Sequence, residues 1–123
     1  MTLIEIMVVI AILGLIAGAV SVNVIKRYVD AQRDTAALDI KSIDSALKVY
    51  YTRTGHYPDT ASGLRPLVDT QILQRMPKDP WGHHYVYALE AGQPIITSYG
   101  RDGLPGGEGA DADLSNREEE SAR

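Results

Sequence analysis

The sequence predicts an α+β fold: one long N-terminal α-helix over about residues 2–53, packed by its C-terminal half on a small antiparallel β-sheet. Three observations predict it. Residues 1–25 are almost wholly apolar, residues 26–53 carry an apolar stripe at helical spacing, and two short β-rich runs flank a Gly-containing turn after residue 84. The chain has 123 residues, so fewer than 100 follow the apolar run, enough for one small core.

The opening MTLIEIMVVIAILGLIAGAVSVNV is broken by a single charge, Glu5. Ile6 to Ile25 are 20 residues without Asp, Glu, Lys or Arg, the length of one helical crossing of a bilayer's hydrocarbon core. No basic stretch stands ahead of it and no small-residue cleavage site follows, so a retained helix is expected rather than a signal peptide. Gly14 and Gly18 form a G-x-x-x-G step beside Ala17 and Ala19. Such a step allows close helix packing, although Gly and Ala are also simply common in membrane helices. Glu5 has three readings: a protonated acid in lipid, a headgroup-zone residue, or the partner of a cation such as an α-amino group.

Ala36, Ile40, Ile43, Leu47 and Tyr50 recur at steps of four, three, four and three, one face of an α-helix. Asp44 and Lys48 make a favourably ordered i,i+4 pair off that stripe. Thr54-Gly55 supplies a stop. Residues 54–80 read as a turn-rich connector, with a short helix expected within Gly63–Leu73. Tyr85–Leu89 and Pro94–Tyr99 are the strand candidates. GRDGLPGGEGADAD is a Gly/Asp loop, and the last residues form a polar tail. The expected organisation is therefore 1–25 apolar half-helix, 26–53 amphipathic half-helix, 54–116 small globular domain, and 117–123 tail. A helix of that length is about 80 Å long at 1.5 Å per residue, more than the rest of the chain can cover. Its first half needs lipid or other subunits.

Composition narrows the chemistry. With no cysteine, neither disulfides nor thiolate metal sites can brace the core. Residues 26–53 are mildly basic, whereas residues 101–123 hold three Arg against seven Asp or Glu, so no nucleic-acid footprint is present. Lys26 and Arg27 would place the end of the apolar run in the cytoplasm by the positive-inside rule, unless a basic leader upstream reverses the balance. No nucleophile elbow occurs and no His stands beside an evident partner, so an enzyme is not expected.

Asp102, Asp111 and Asp113 lie in the glycine-rich loop. Three carboxylates within a dozen residues suit a hard cation, since Ca²⁺ accepts six to eight oxygens in irregular geometry. The alternative is a solvated acidic turn, and the spacing is not that of an EF-hand. His83-His84 read as alternating faces of a strand edge, unable to share a metal, and His56 stands alone in a turn. Asp79-Pro80-Trp81-Gly82 reads as a structural turn. Asp44 is either an ordinary exposed helix charge or, with Arg75, half of an ion pair between subunits.

The opening T-L-I-E-I-M-V-V-I-x-I-L-G resembles the processed N-terminus of the type IV pilin-like superfamily. D-S-A-L-K-V-Y-Y, G-H-Y-P-D-T-x-x-G-L-x-x-L-V, P-K-D-P-W-G and S-Y-G-R-D-G-x-P-G-G-E-G-A-D-A-D-L narrow the resemblance to the major pseudopilins of type II secretion, over most of the chain. The resemblance implies a structural subunit that polymerises with itself into a helical filament, assisted by minor pseudopilins, a prepilin peptidase, and an inner-membrane platform with its ATPase. The alternatives are an adhesive or competence pilin and a membrane-anchored calcium-binding protein. It further implies that Met1 is the cleaved and N-methylated first residue, where relatives usually have Phe. Glu5 would pair with the amino terminus of a neighbour, and Gly14 and Gly18 would lie in the filament core. Calcium would be held by Asp102, Asp111 and Asp113, with the carbonyls of Tyr99 and Leu104 as further ligands. The expected location is the inner membrane with the C-terminal domain in the periplasm. Two departures stand out: Val22 replaces a common early-helix Pro, and Leu114-Ser115-Asn116 lacks a following Trp.

Overall fold

The computed structural model describes residues 1–117. The chain divides into two units, the first Met1–Ala31 and the second beginning at Gln32. Helix α1 runs from Leu3 to Thr54, β1 is Val86–Glu90, β2 is Gln93–Ser98 and β3 is Leu114–Ser115; a short helix α2, Arg65–Asp69, lies in the connector.

The start of α1 is a capping box. The Thr2 hydroxyl accepts the Glu5 N–H at 3.3 Å, and the Glu5 carboxylate accepts the Thr2 N–H at 3.4 Å. Two of the helix's orphan N–H groups are thereby satisfied reciprocally. Farther along the apolar half, the two polar side chains bond back to their own helix. Ser21 donates to the Ala17 carbonyl at 2.7 Å and Asn23 to the Ala19 carbonyl at 3.4 Å. Both side chains thus bond a donor within the helix, which suits a helix meant for an apolar solvent.

In the second unit, the residues of α1 that become buried are Ala36, Ile40, Ile43, Leu47 and Tyr50, the stripe that the spacing picks out. Leu64, Leu67, Tyr85, Tyr87 and Ile96 complete the core. Pro66 stands in the first turn of α2, where its missing N–H costs nothing. That helix ends in a Schellman motif. Ile72 N–H reaches back to the Leu67 carbonyl at 2.9 Å and Gln71 N–H to that of Val68 at 3.0 Å, with Gln71 itself at φ +61°.

The sheet has the order β1-β2-β3, antiparallel throughout. Tyr87 faces Ile96 and Glu90 faces Gln93, so the hairpin closes over Ala91-Gly92, both at positive φ as a type I′ turn requires. The strands thus sit within one residue of the runs the sequence offers. The Asn116 side chain extends the pairing beyond β3. Its carbonyl accepts the Ile96 N–H and its amide donates to the Pro94 carbonyl, both at 3.0 Å. This strand had no signature of its own, being two residues long and completed by a side chain.

Candidate functional site

The apolar half of α1 exposes nearly everything it carries. Leu3, Ile4, Ile10, Leu13, Leu15 and Ile25 are each at least 60% exposed, and this helix is long and apolar enough to cross a membrane. A monomer in water would not present so continuous an apolar surface without an occupant. At Gly14 and Gly18 an added Cβ would meet nothing within 4 Å, so the notch they leave is open. Glu5 lies at the start of this surface with its carboxylate turned back into the capping box. The motif T-L-I-E would have revealed that bond, because Thr and Glu stand at capping-box spacing.

The Gly/Asp loop is the second constellation. Asp102 accepts the N–H of Leu104 at 3.1 Å, a local turn that leaves the Leu104 side chain exposed. Asp113 accepts the Gly106 N–H at 3.0 Å through Oδ2, while its Oδ1 is buried without a hydrogen-bond partner. Asp111 is turned to Arg101, whose Nε and Nη2 stand 3.0 and 3.3 Å from its two carboxylate oxygens. The backbone of Asp111 is tightly enclosed. A Cβ at Gly100 would lie 2.8 Å from the Asp111 carbonyl, and one at Gly107 would lie 2.6 Å from its oxygen. Both glycines have positive φ, so only glycine fits there on two counts. From α1, Arg33 donates one nitrogen to the carbonyls of Gly109 and Ala112, at 2.8 and 3.0 Å. Sequence reasoning passed over both arginines: Arg33 lies outside every motif, and within S-Y-G-R-D-G nothing marks Arg101 as the partner of an acid ten residues on.

Among the described residues, no three His, Cys, Asp or Glu side chains stand close enough together to hold a metal ion. A buried, unpartnered carboxylate oxygen is nonetheless costly unless a donor or cation meets it. The all-oxygen character of Asp102, Asp111 and Asp113 fits a hard cation of the calcium type and not zinc.

Beneath the loop, Asp79 is buried and fully engaged. Oδ1 accepts the N–H groups of Trp81 and His83 at 3.1 and 2.8 Å, and Oδ2 accepts the Ser98 hydroxyl at 2.9 Å. This supports the structural reading of the Asp79–Gly82 turn. It also corrects the placement of the histidines on a strand. His83 and His84 precede β1, with His84 only in an isolated bridge to Lys78. His83 packs its ring against Gly103 and lies 3.8 Å from Asp79 Oδ2. The reason is the Asp79 carboxylate, which captures the backbone before pairing begins. Trp81 donates its ring N–H to the Gln32 side chain at 3.2 Å. Asp44 is 3.0 Å from Lys48 on its own helix, as the spacing predicts; Arg75 lines a groove with Asp39, Ser42 and Lys78.

Comparison with known proteins decides the family. The family described as Type II secretion system (T2SS), protein G matches residues 23–117. The chain belongs to the type II secretion system protein G family. The type II secretion system core protein G of Vibrio cholerae is 36% identical over 129 aligned positions, covering 94% of this chain and 88% of that protein. Its counterpart in Pseudomonas aeruginosa is 38% identical, covering 94% and 92%. The crystal structure of the major pseudopilin from the type 2 secretion system of enterohaemorrhagic Escherichia coli superposes with a TM-score of 0.63 at 29% identity, over 76% of this chain and 93% of that one. Protein G is a pseudopilin family of the type IV pilin-like fold, and the long helix with a small antiparallel sheet is that fold. The alternative of an adhesive or competence pilin gives way to this membership.

Proposed function

We propose that this chain is the major structural subunit of a periplasmic pseudopilus, polymerising through its N-terminal helix to drive protein export across the outer membrane. The observation that carries the reading is the uncovered apolar half of α1, exposed from Leu3 to Ile25 in a member of the protein G family. Before assembly this helix lies in the inner membrane with the C-terminal domain in the periplasm. In the filament it packs on the helices of other copies, with Gly14 and Gly18 allowing close approach. Prepilin peptidase prepares and methylates Met1. Glu5 then exchanges its capping-box bond for the amino terminus of a neighbouring subunit, which sets the axial register. Such an exchange is inexpensive, since the bond it gives up is long and exposed. Minor pseudopilins start the filament, and the inner-membrane platform and its ATPase extend it. Asp44 remains an interface charge in this reading.

The loop takes calcium, with Asp102, Asp111 and Asp113 as side-chain ligands and the carbonyls of Tyr99 and Leu104 completing the set. The unpartnered Asp113 Oδ1 supports this. The ion supplies charge neutralisation and a staple for a domain that has no disulfide. Arg33, Gly100 and Gly107 hold the loop's backbone around it.

Because the chain has no cysteine of its own, Ile10→Cys paired with Val20→Cys reports only contacts between copies. Oxidation in cells that make the whole secretion system should give a ladder of cross-linked multimers through the helix. A band that stays monomeric while the protein is abundant and membrane-bound would leave only a lone anchor.

A further inference from the structure

We propose that Arg101 is an internal competitor for the calcium site, a cation carried by the chain itself that must release Asp111 before the ion can be held. The proposal rests on the calcium reading above and adds what sets the affinity. Asp111 is the one carboxylate of the three that is paired with a guanidinium, through two bonds of 3.0 and 3.3 Å. Two-point pairing of this kind fixes orientation as well as attraction. With Asp111 turned to Arg101, Asp102 to the Leu104 N–H and Asp113 to the Gly106 N–H, the acids of the loop are not gathered among the described residues.

The rest of the site stays ready. The backbone of Asp111 is enclosed by Gly100 and Gly107, and the Arg101 N–H is bonded to the Ala110 carbonyl at 3.1 Å. Arg33 holds the carbonyls of Gly109 and Ala112 from α1, so the loop keeps its place when Asp111 changes partner. Asp113 Oδ1 is already unpaired. Entry of the ion requires Asp111 to leave Arg101, while Gly100, Gly107 and Arg33 keep the loop's backbone in place. The exchange is easy because the Arg101 side chain is 61% exposed, and pairs in that setting are weak. The consequence is twofold. The metal-free loop is partly neutralised, and the affinity for calcium is lower than the three carboxylates alone would give.

The test is a calcium titration by calorimetry on the full chain in detergent micelles, comparing the unaltered protein with Arg101→Gln and Arg101→Lys. Arg101→Gln should bind about fivefold more tightly, the fold-change an exposed pair of this kind is worth. Arg101→Lys, which keeps the charge but loses the two-point geometry, should fall between. Thermal melts should show a larger calcium-induced rise for Arg101→Gln, reversed by chelator. Equal affinities, or weaker binding by Arg101→Gln, would overturn the competitor role and leave the calcium site standing. If neither protein binds calcium and neither melt responds to chelator, the calcium reading falls and the competitor with it.

Discussion

Tyr85 buries its ring against the core and donates its hydroxyl to Asp39 at 2.9 Å. Burial first, and the Asp39 carboxylate second, push its phenol far above the ordinary 10.0. Tyr87, which donates to the Pro58 carbonyl at 2.7 Å, is pushed up to about 12, chiefly by burial. With folded-state values raised, both phenols favour the folded protein fully below pH 10, and that contribution drains away as pH climbs past it, because the unfolded chain releases its protons first. Tyr85→Phe should cost about 1 kcal/mol at neutral pH and make the loss of stability above pH 10 shallower. Thermal melts from pH 8 to 11 check this, and parallel curves would contradict it. At this scale the sequence was read unevenly. Asp102, Asp111 and Asp113 were visible as a pattern of one residue type. Their surroundings were not, because Arg101 stands beside Asp102 in the chain yet pairs with Asp111 across the loop, and Arg33 reaches the loop's carbonyls from the long helix.

The amphipathic half of α1 was legible because five apolar residues at a 3.6-residue period leave one face to bury. Leu47 lies on that face and is fully buried. Leu47→Ala should destabilise the second unit by about 2–5 kcal/mol, a transfer loss plus a cavity, whereas the exposed Leu38→Ala should change stability by about 0.5 kcal/mol or less. Denaturant unfolding of the two variants gives the comparison, and equal effects would mean the stripe is not the core. The short elements were harder to read. Helix α2 falls within the expected Gly63–Leu73 segment, but its end at Asp69 carries no glycine signal, since Gln71 takes the left-handed position. Strand β3 owes its pairing to the Asn116 amide, which no alternation of apolar residues announces.

The chain as a whole divides its residues between two solvents. Every buried apolar core residue lies between Ala36 and Ile96, and none comes from the first 31 residues. A fragment beginning at Lys26 should therefore fold and remain soluble without detergent, while the full chain requires it. Circular dichroism and dispersed amide resonances of the fragment are the measurement; a fragment that unfolds or aggregates would show that the apolar half supports the domain. The broad division was legible because hydropathy changes sharply at Lys26, a signal that depends on no tertiary contact.

Trp81 has a use of a different kind. It is the chain's single tryptophan, and its ring N–H is tied to Gln32 on the long helix. Light emitted by this protein under selective indole excitation therefore comes from one spot, where the turn after the connector meets α1. The molecule carries its own optical gauge of whether that seam is shut, readable in a cuvette and, as subunits join, in real time.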